Sequence, residues 1–246
     1  MYCPACQHET LANAKFCQEC GSALAQSCHN CGYPLPDKAK FCPECAHPAD
    51  GRGDFTEADS WLEKATAVSR QASARRYLAV NTLLLAACRR AQGNLVAARE
   101  LVEEAFKLSK EIGIAFLGPS LFAAKASAAQ DPAERQHWLR QGEAMLEGDC
   151  LAPGRLMFYR DAIEIFLEQR SWGEALRMAD ALEEFGRGEP VRFAELVAAR
   201  TRGLVDLARR GPEPEIIEQL ASVRDQIRRA GLGGLVLGID AALASV

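Results

Sequence analysis

Apolar and polar residues alternate at helical intervals from Thr56 to the end of the chain. Glycine and proline divide this stretch into about nine or ten segments, most of them about 15–20 residues long. One segment carries apolar residues on two helical faces, with Leu156, Tyr159, Ile163 and Phe166 on the first and Phe158, Ala162 and Ile165 on the second. Because both faces are apolar, we expect neighbouring elements to cover this helix on both sides. The pattern predicts an all-α region over residues 56–246.

A weak internal repeat runs through the helical region. Four positions with the same spacing occur three times, as Phe55, Ala58, Leu62 and Ala65, then Leu95, Ala98, Val102 and Ala105, then Trp172, Ala175, Ala179 and Leu182. A period of about 38–40 residues is typical of stacked helical hairpins, in which small residues let helices cross closely. The unit around Trp138 is degenerate and the strict tetratricopeptide (TPR) consensus is not met. The prediction is therefore a TPR-like helical-hairpin solenoid.

The first 48 residues follow a different pattern, a tandem duplication centred on cysteine. The stretch KFCQECG at residues 15–21 returns as KFCPECA at residues 40–46, an offset of 25 residues. Eight cysteines keep that offset and form four Cys-x-x-Cys pairs: Cys3/Cys6, Cys17/Cys20, Cys28/Cys31 and Cys42/Cys45. Each unit therefore consists of one pair, ten intervening residues and a second pair.

Four thiolates from two Cys-x-x-Cys turns suit a tetrahedral zinc ion, with Zn–S distances of about 2.3 Å. The ten residues between the pairs suffice for a short β-hairpin, which gives each unit the layout of a zinc ribbon. So short a unit cannot bury enough apolar surface to offset its chain entropy, whereas bound zinc can contribute about 10–16 kcal/mol. Phe16 and Phe41 precede the second pair of each unit and are placed to cover the sites. We predict two structural Zn²⁺ ions with no open position for a substrate.

The cysteine pattern leaves alternatives open. The pair Cys17/Cys20 could join Cys28/Cys31 across the seven residues between them, although the 25-residue repeat argues against such interlacing. Iron ligation and redox-active thiols also use Cys-x-x-Cys steps.

Composition and charge narrow the range of functions. The formal net charge is −4, and the first 50 residues hold three lysines, no arginine and five acidic residues. Two all-thiolate zinc sites would add about −4 more, so we do not expect this module to bind nucleic acid. No apolar run reaches the about 18 residues of a membrane helix, and no leader precedes the first cysteine. We expect a cytoplasmic protein, where cysteines bind metal more often than they form disulfides.

The rest of the chain offers little for catalysis. Glu134-x-x-His137 has the spacing of a di-iron ligand pair, but the required second pair is missing from the helical region. Cys88 ends an apolar run and is expected to be a buried small hydrophobe. We expect Cys150 to be more exposed, beside the carboxylate of Asp149, which discourages the thiolate. We assign no residue a catalytic role.

Six further residues receive structural expectations only. Three histidines near the cysteine pairs are expected to be solvated bystanders, because each site already has four thiolates: His8, His29 and His47. Three tryptophans at helical positions are expected to pack in the core: Trp61, Trp138 and Trp172.

The stretch CPAC…KFCQECG…CHNCG…KFCPEC resembles the double zinc ribbon that opens many large bacterial proteins. Those proteins combine a class III adenylate/guanylate cyclase domain, an AAA-type ATPase and a C-terminal TPR-like region. The stretches EIGIAFLGPSLFAAKA, FYRDAIEIFLE and SWGEALRMADALEEFGRGEPVRFAELVAAR resemble that C-terminal region. The resemblance implies a signalling context and a cyclase or ATPase as partner. The chain has no cyclase-like domain and no glycine-rich phosphate loop ending in Gly-Lys-Ser/Thr, so neither activity carries over.

We therefore expect a mainly α chain in three parts: a double zinc ribbon of short β-hairpins and knuckles over residues 1–48, a linker over 49–55, and a TPR-like solenoid over 56–246. The expected function is a non-catalytic adaptor or scaffold that binds protein partners through the concave surface of the solenoid. The alternatives are a regulatory fragment or shortened paralogue of a cyclase/ATPase signalling protein, and a solenoid that binds a small regulatory ligand.

Overall fold

The computed structural model describes residues 8, 18–19, 55–148, 150–188 and 191–245. The described part is mainly α, as the apolar periodicity predicts. Its α-helices are α1 (Phe55–Gln71), α2 (Arg75–Ala91), α3 (Leu95–Ile112), α4 (Pro119–Ala128), α5 (Pro132–Leu146), α6 (Ala152–Glu168), α7 (Trp172–Gly186), α8 (Arg192–Arg210), α9 (Pro214–Arg229) and α10 (Val236–Ala244). Two short 3₁₀ turns, Ile114–Phe116 and Gly233–Leu235, precede α4 and α10. None of the described helices combines the length and apolar character that a membrane span requires.

The chain divides into two compact units. One consists of Met1–Gly53 and Arg224–Asp240, and the other of Asp54–Val223 and Ala241–Val246. The predicted boundaries of the ribbon, the linker and the solenoid stay a prediction, because most residues before Phe55 lie outside the described residues.

Successive helices of the second unit pack against one another as hairpins. Helix α1 packs on α2, α2 on α3, α6 on α7, and α7 on α8. The short helix α4 contacts α3, α5 and α6, and seven of its ten residues are buried. This confirms the prediction of sequential helical hairpins, while assignment to the TPR class stays a prediction.

Helix α6 is covered on both sides, as its two apolar faces predict. Phe158, Ala162 and Ile165 on one face and Ile163 and Phe166 on the other are all buried. A side chain at Gly142 of α5 would place its Cβ only 2.2 Å from Cε2 of Phe158, so α5 and α6 can approach this closely only because position 142 is glycine.

The sequence repeat marks where helices begin. Phe55, Leu95 and Trp172 are the first residues of α1, α3 and α7. The small and apolar positions that follow are buried in α3 and α7: Ala98, Val102, Ala105, Ala175, Ala179 and Leu182. The corresponding positions in α1, which begins the stack of described helices, are half-buried: Ala58, Leu62 and Ala65.

The expectation that all three tryptophans pack in the core is wrong for Trp61. Its side chain is 62% exposed, and the Lys64 Nζ lies 4.6 Å from the centre of its ring. The reason is its position on α1, because Thr66 and Ser69 are buried on another side of that helix. Trp138 and Trp172 are half-buried.

Four helices end in the same turn, with one residue in the left-handed region. These residues are Ser73, Gly93, Arg170 and Gly231, with φ of 51°, 82°, 55° and 71°. In each turn, the N–H of the next residue donates to the carbonyl five positions earlier, as from Ser171 to Phe166 at 2.8 Å. This hydrogen bond is typical of the Schellman motif, which favours glycine at the left-handed position. Ser73 and Arg170 therefore hold a strained backbone conformation.

A largely buried ion pair links α6 and α8. The Arg200 Nη1 and Nη2 atoms donate to Glu164 Oε1 at 2.6 Å and Oε2 at 3.2 Å. The Arg200 side chain is 4% exposed and that of Glu164 is 33% exposed. Loss of Arg200 would leave the Glu164 carboxylate without this counterion in a partly dry environment.

We predict that Arg170→Gly raises the free energy of unfolding by about 0.5–1 kcal/mol. The left-handed conformation costs an ordinary residue about 1–2 kcal/mol, and the greater entropy of glycine in the unfolded chain offsets part of the gain. Urea denaturation measures the change. The matched control is Arg140→Gly, the same replacement on the exposed side of α5, which should destabilise by about 1 kcal/mol. Destabilisation by both variants would contradict the strain at Arg170.

We predict that Arg200→Met lowers the free energy of unfolding by about 2–3 kcal/mol. Breaking a fully buried pair would cost more, but part of the Glu164 side chain remains solvated. Arg187→Met is the control, since it breaks an exposed pair with Glu184 on the neighbouring turn and should cost less than about 0.5 kcal/mol. Equal losses for the two variants in thermal denaturation would show that the Arg200 pair contributes no more than a surface pair.

Candidate metal centre and exposed helical surface

All eight predicted metal ligands lie outside the described residues: Cys3, Cys6, Cys17, Cys20, Cys28, Cys31, Cys42 and Cys45. The structure does describe Gln18 and Glu19, the two residues between Cys17 and Cys20. Both lie in a hydrogen-bonded turn and are exposed. A turn at this position is what a Cys-x-x-Cys knuckle requires.

The donor set fits zinc. Thiolate sulfur is a preferred ligand of this ion, and two knuckles supply the four sulfurs of a closed tetrahedron. Bound zinc supplies a structural cross-link between two segments of chain, which a unit of this size needs in order to fold. The ligand assignment and the number of ions stay predictions. His8 is exposed, while His29 and His47 lie outside the described residues.

Within the described residues, no group of three or more histidine, cysteine, aspartate or glutamate side chains could hold a metal ion. The side chains of Glu134 and His137 on α5 both contact Trp138. The Trp138 Nε1 donates to Glu134 Oε1 at 3.2 Å, and the His137 ring meets the indole edge-on with centroids 4.9 Å apart.

The two cysteines of the helical region differ in their surroundings. Cys88 is buried, as predicted, and burial raises the pKa of its thiol, to which the nearby Asp59 carboxylate adds. Cys150 is half-exposed, and its Sγ accepts a hydrogen bond from Arg155 Nε at 3.1 Å. Sequence analysis missed Arg155, which lies in the first turn of α6. The sign of this contact in the sequence is that Arg155 follows Cys150 by five residues.

An aromatic cluster encloses a lysine between α3, α4 and α5. The rings of Phe106, Phe122 and Trp138 have centroids 5.6–6.3 Å apart. The Lys125 Nζ lies 5.2 Å from the Phe106 ring and 4.8 Å from the Trp138 ring, and it pairs with Glu103. The Lys125 side chain is only 9% exposed. The aromatic rings and Glu103 together stabilise the buried Lys125 ammonium group, and the rings join α3, α4 and α5. The sequence did not predict this cluster.

The exposed apolar side chains are concentrated at the start of the helical region. Among the described residues, the large ones are Trp61, Val68, Tyr77, Leu84, Leu95, Val96, Leu151 and Leu237. Six of the eight lie on α1, α2 and α3. Exposed apolar side chains that form a contiguous patch are typical of interaction surfaces, which makes these three helices the candidate region for one.

A family model described as "Double zinc ribbon" matches residues 3–46 of this chain. The match includes all four Cys-x-x-Cys pairs and implies zinc binding. No curated protein and no solved structure gives a match to the chain. The comparisons give no support to the resemblance to cyclase–ATPase proteins. The chain therefore contains a double zinc ribbon at its N-terminus, followed by a region of packed helices.

We predict that purified, reduced protein contains two zinc ions per chain, and that Cys17→Ser combined with Cys20→Ser lowers this to one. The double substitution removes one knuckle and leaves the other site with four sulfurs. Elemental analysis measures the zinc, and Cys150→Ser is the control that should keep both ions. Fewer than two ions in the zinc-loaded parent protein would contradict the prediction.

Proposed function

We propose that this chain is a non-catalytic, zinc-binding adaptor that docks protein partners on its helical hairpins. The observation that carries the proposal is the group of exposed apolar side chains on α1, α2 and α3. Large apolar side chains in water are unfavourable, and a partner that covers them regains the free energy of their burial.

The chemistry of the ribbon supports a structural role. Four thiolates fill the coordination sphere of zinc, whereas catalytic zinc keeps one position for water or substrate. The proposed role of the two ions is to hold the ribbon folded, which leaves its surface available as a second contact for a partner.

The ion pairs of the helical region support a rigid docking platform. Arg200 with Glu164 joins α8 to α6, and Arg202 on α8 pairs with Asp180 and Glu183 on α7. These contacts link α8 to two other helices, and helices that are linked before binding lose less ordering entropy when a partner docks. The helical repeat predicts docking on the concave surface of a solenoid. The exposed side chains favour the first three helices within that region.

Affinity capture tests the proposal. We predict that full-length protein, cross-linked in its native cells, recovers a defined protein partner, and that a variant lacking residues 1–48 recovers the same partner. The shorter variant is used only if its circular dichroism shows a cooperative helical unfolding transition. A net-charge-matched helical protein with no exposed apolar cluster is the control for non-specific capture. Recovery of the same proteins by that control and by the full-length protein would contradict an adaptor role.

A further inference from the structure

Four exposed apolar side chains of the first hairpin form two matched pairs. Trp61 and Val68 are seven residues apart on α1, and Tyr77 and Leu84 are seven residues apart on α2, so each pair shares one helical face. Their side chains are 62%, 62%, 67% and 45% exposed, respectively. We call these four side chains the end face.

The two pairs lie on the two helices of one hairpin, in which α1 packs on α2. The Asn81 Nδ2 atom donates a hydrogen bond to Ser69 Oγ at 3.1 Å between these two helices. Asn81 lies on the same side of α2 as Tyr77, four residues earlier, and Leu84, three residues later. Ser69 directly follows Val68 on α1. The two apolar pairs therefore lie on helices that contact each other, close to this hydrogen bond in sequence.

The hairpin packs against α3 with other residues. Ala79 is buried in one cluster with Ala105 of α3, and Val80 and Leu83 pack against that cluster. Arg70 and Arg75 also reach α3 through ion pairs with glutamates. The end face is therefore the side of the hairpin that α3 leaves uncovered.

The charge of the hairpin differs from that of the chain. Phe55–Ala91 holds six basic and three acidic residues, whereas the whole chain has a net charge of −4. Four of the arginines pair with described acidic residues: Arg70, Arg75, Arg89 and Arg90. Lys64 and Arg76 form no ion pair with any described residue, and the Lys64 Nζ lies against the Trp61 ring. Beside the end face, the cation without an ion pair to any described residue is therefore Lys64.

We propose that the end face docks an amphipathic helix of a partner protein, with acidic residues beside its apolar stripe. This inference rests on the proposed function and specifies the surface and the chemistry of the partner. Apolar side chains at intervals of seven on α1 and α2 fit a helix that repeats its own apolar residues every seven positions. Acidic residues beside that stripe pair with Lys64 and steer the approach of the helix.

A lipid surface fits the end face less well. Anionic bilayers recruit clusters of about four to eight basic residues. The hairpin offers two cations outside ion pairs with described residues, and the net charge of the chain opposes approach to an anionic surface.

The test uses the full-length protein and two fluorescent synthetic helices, each about three heptads long with leucines at the heptad a and d positions. One helix has glutamates and the other lysines beside the leucine stripe. Fluorescence anisotropy should show the acidic helix binding at least about tenfold more tightly than the basic one, and Trp61→Ala should weaken it about tenfold. Lys64→Glu should reverse the order of the two helices. Leu151→Ala is the matched control, since this exposed leucine lies outside the end face, and it should change neither affinity.

Several results would overturn the proposal. Equal binding of the two helices, or acidic-helix binding unaffected by Trp61→Ala, would show that the end face does not select this partner. Self-association in sedimentation velocity that Trp61→Ala abolishes would show that a second copy covers the surface. Binding to vesicles of phosphatidylserine that Lys64→Glu abolishes would point to a membrane. If Trp61→Ala still captures the cellular partner, the proposed function stands and the end-face proposal fails.

Discussion

Close approach between successive helices is the constraint on which the described helical region depends. Each hairpin buries an apolar stripe against the next, and the distance between helices is set by small residues at the crossings. At Gly142 even a single Cβ would overlap the Phe158 ring, and at Gly203 it would lie 2.7 Å from the Leu220 Cδ2. Helices packed this closely can also enclose polar groups, provided that each has a partner. Arg200 with Glu164 and Lys125 within its aromatic cluster meet that condition.

The two parts of the chain obtain stability from different sources. The helices bury apolar side chains, and the amount buried grows with each hairpin added. A zinc ribbon has too few residues for that route and depends on metal–sulfur bonds. This difference explains why the sequence pattern changes from cysteine pairs to helical periodicity between Cys45 and Phe55. It also separates the proposed roles, since the metal holds a small module folded and the hairpins present a surface.

The spacing of apolar residues along the sequence predicted much of the helical structure, because the helical repeat alone determines which residues share a face. The two apolar faces of α6 predicted its cover on both sides, and the apolar run before Cys88 predicted its burial. The spacing of a Cys-x-x-Cys step similarly encodes a turn, so the zinc ligands could be proposed without knowledge of the fold. Features that depend on a distant neighbour could not be found in this way. Trp61 is exposed because no described helix covers its side of α1, and Arg200 is buried because α6 supplies Glu164. A charged or aromatic residue at a helical position does not indicate which helix will lie opposite.

We expect thiolates alone to close both zinc sites, which makes the ribbon structural and leaves function to the surfaces of the chain. X-ray absorption at the zinc K-edge tests it most directly, because the fine structure reports the type and number of ligands. We predict four sulfurs per zinc at about 2.3 Å with no nitrogen or oxygen shell. A shell of light atoms at about 2.0–2.1 Å, from histidine or water, would contradict it.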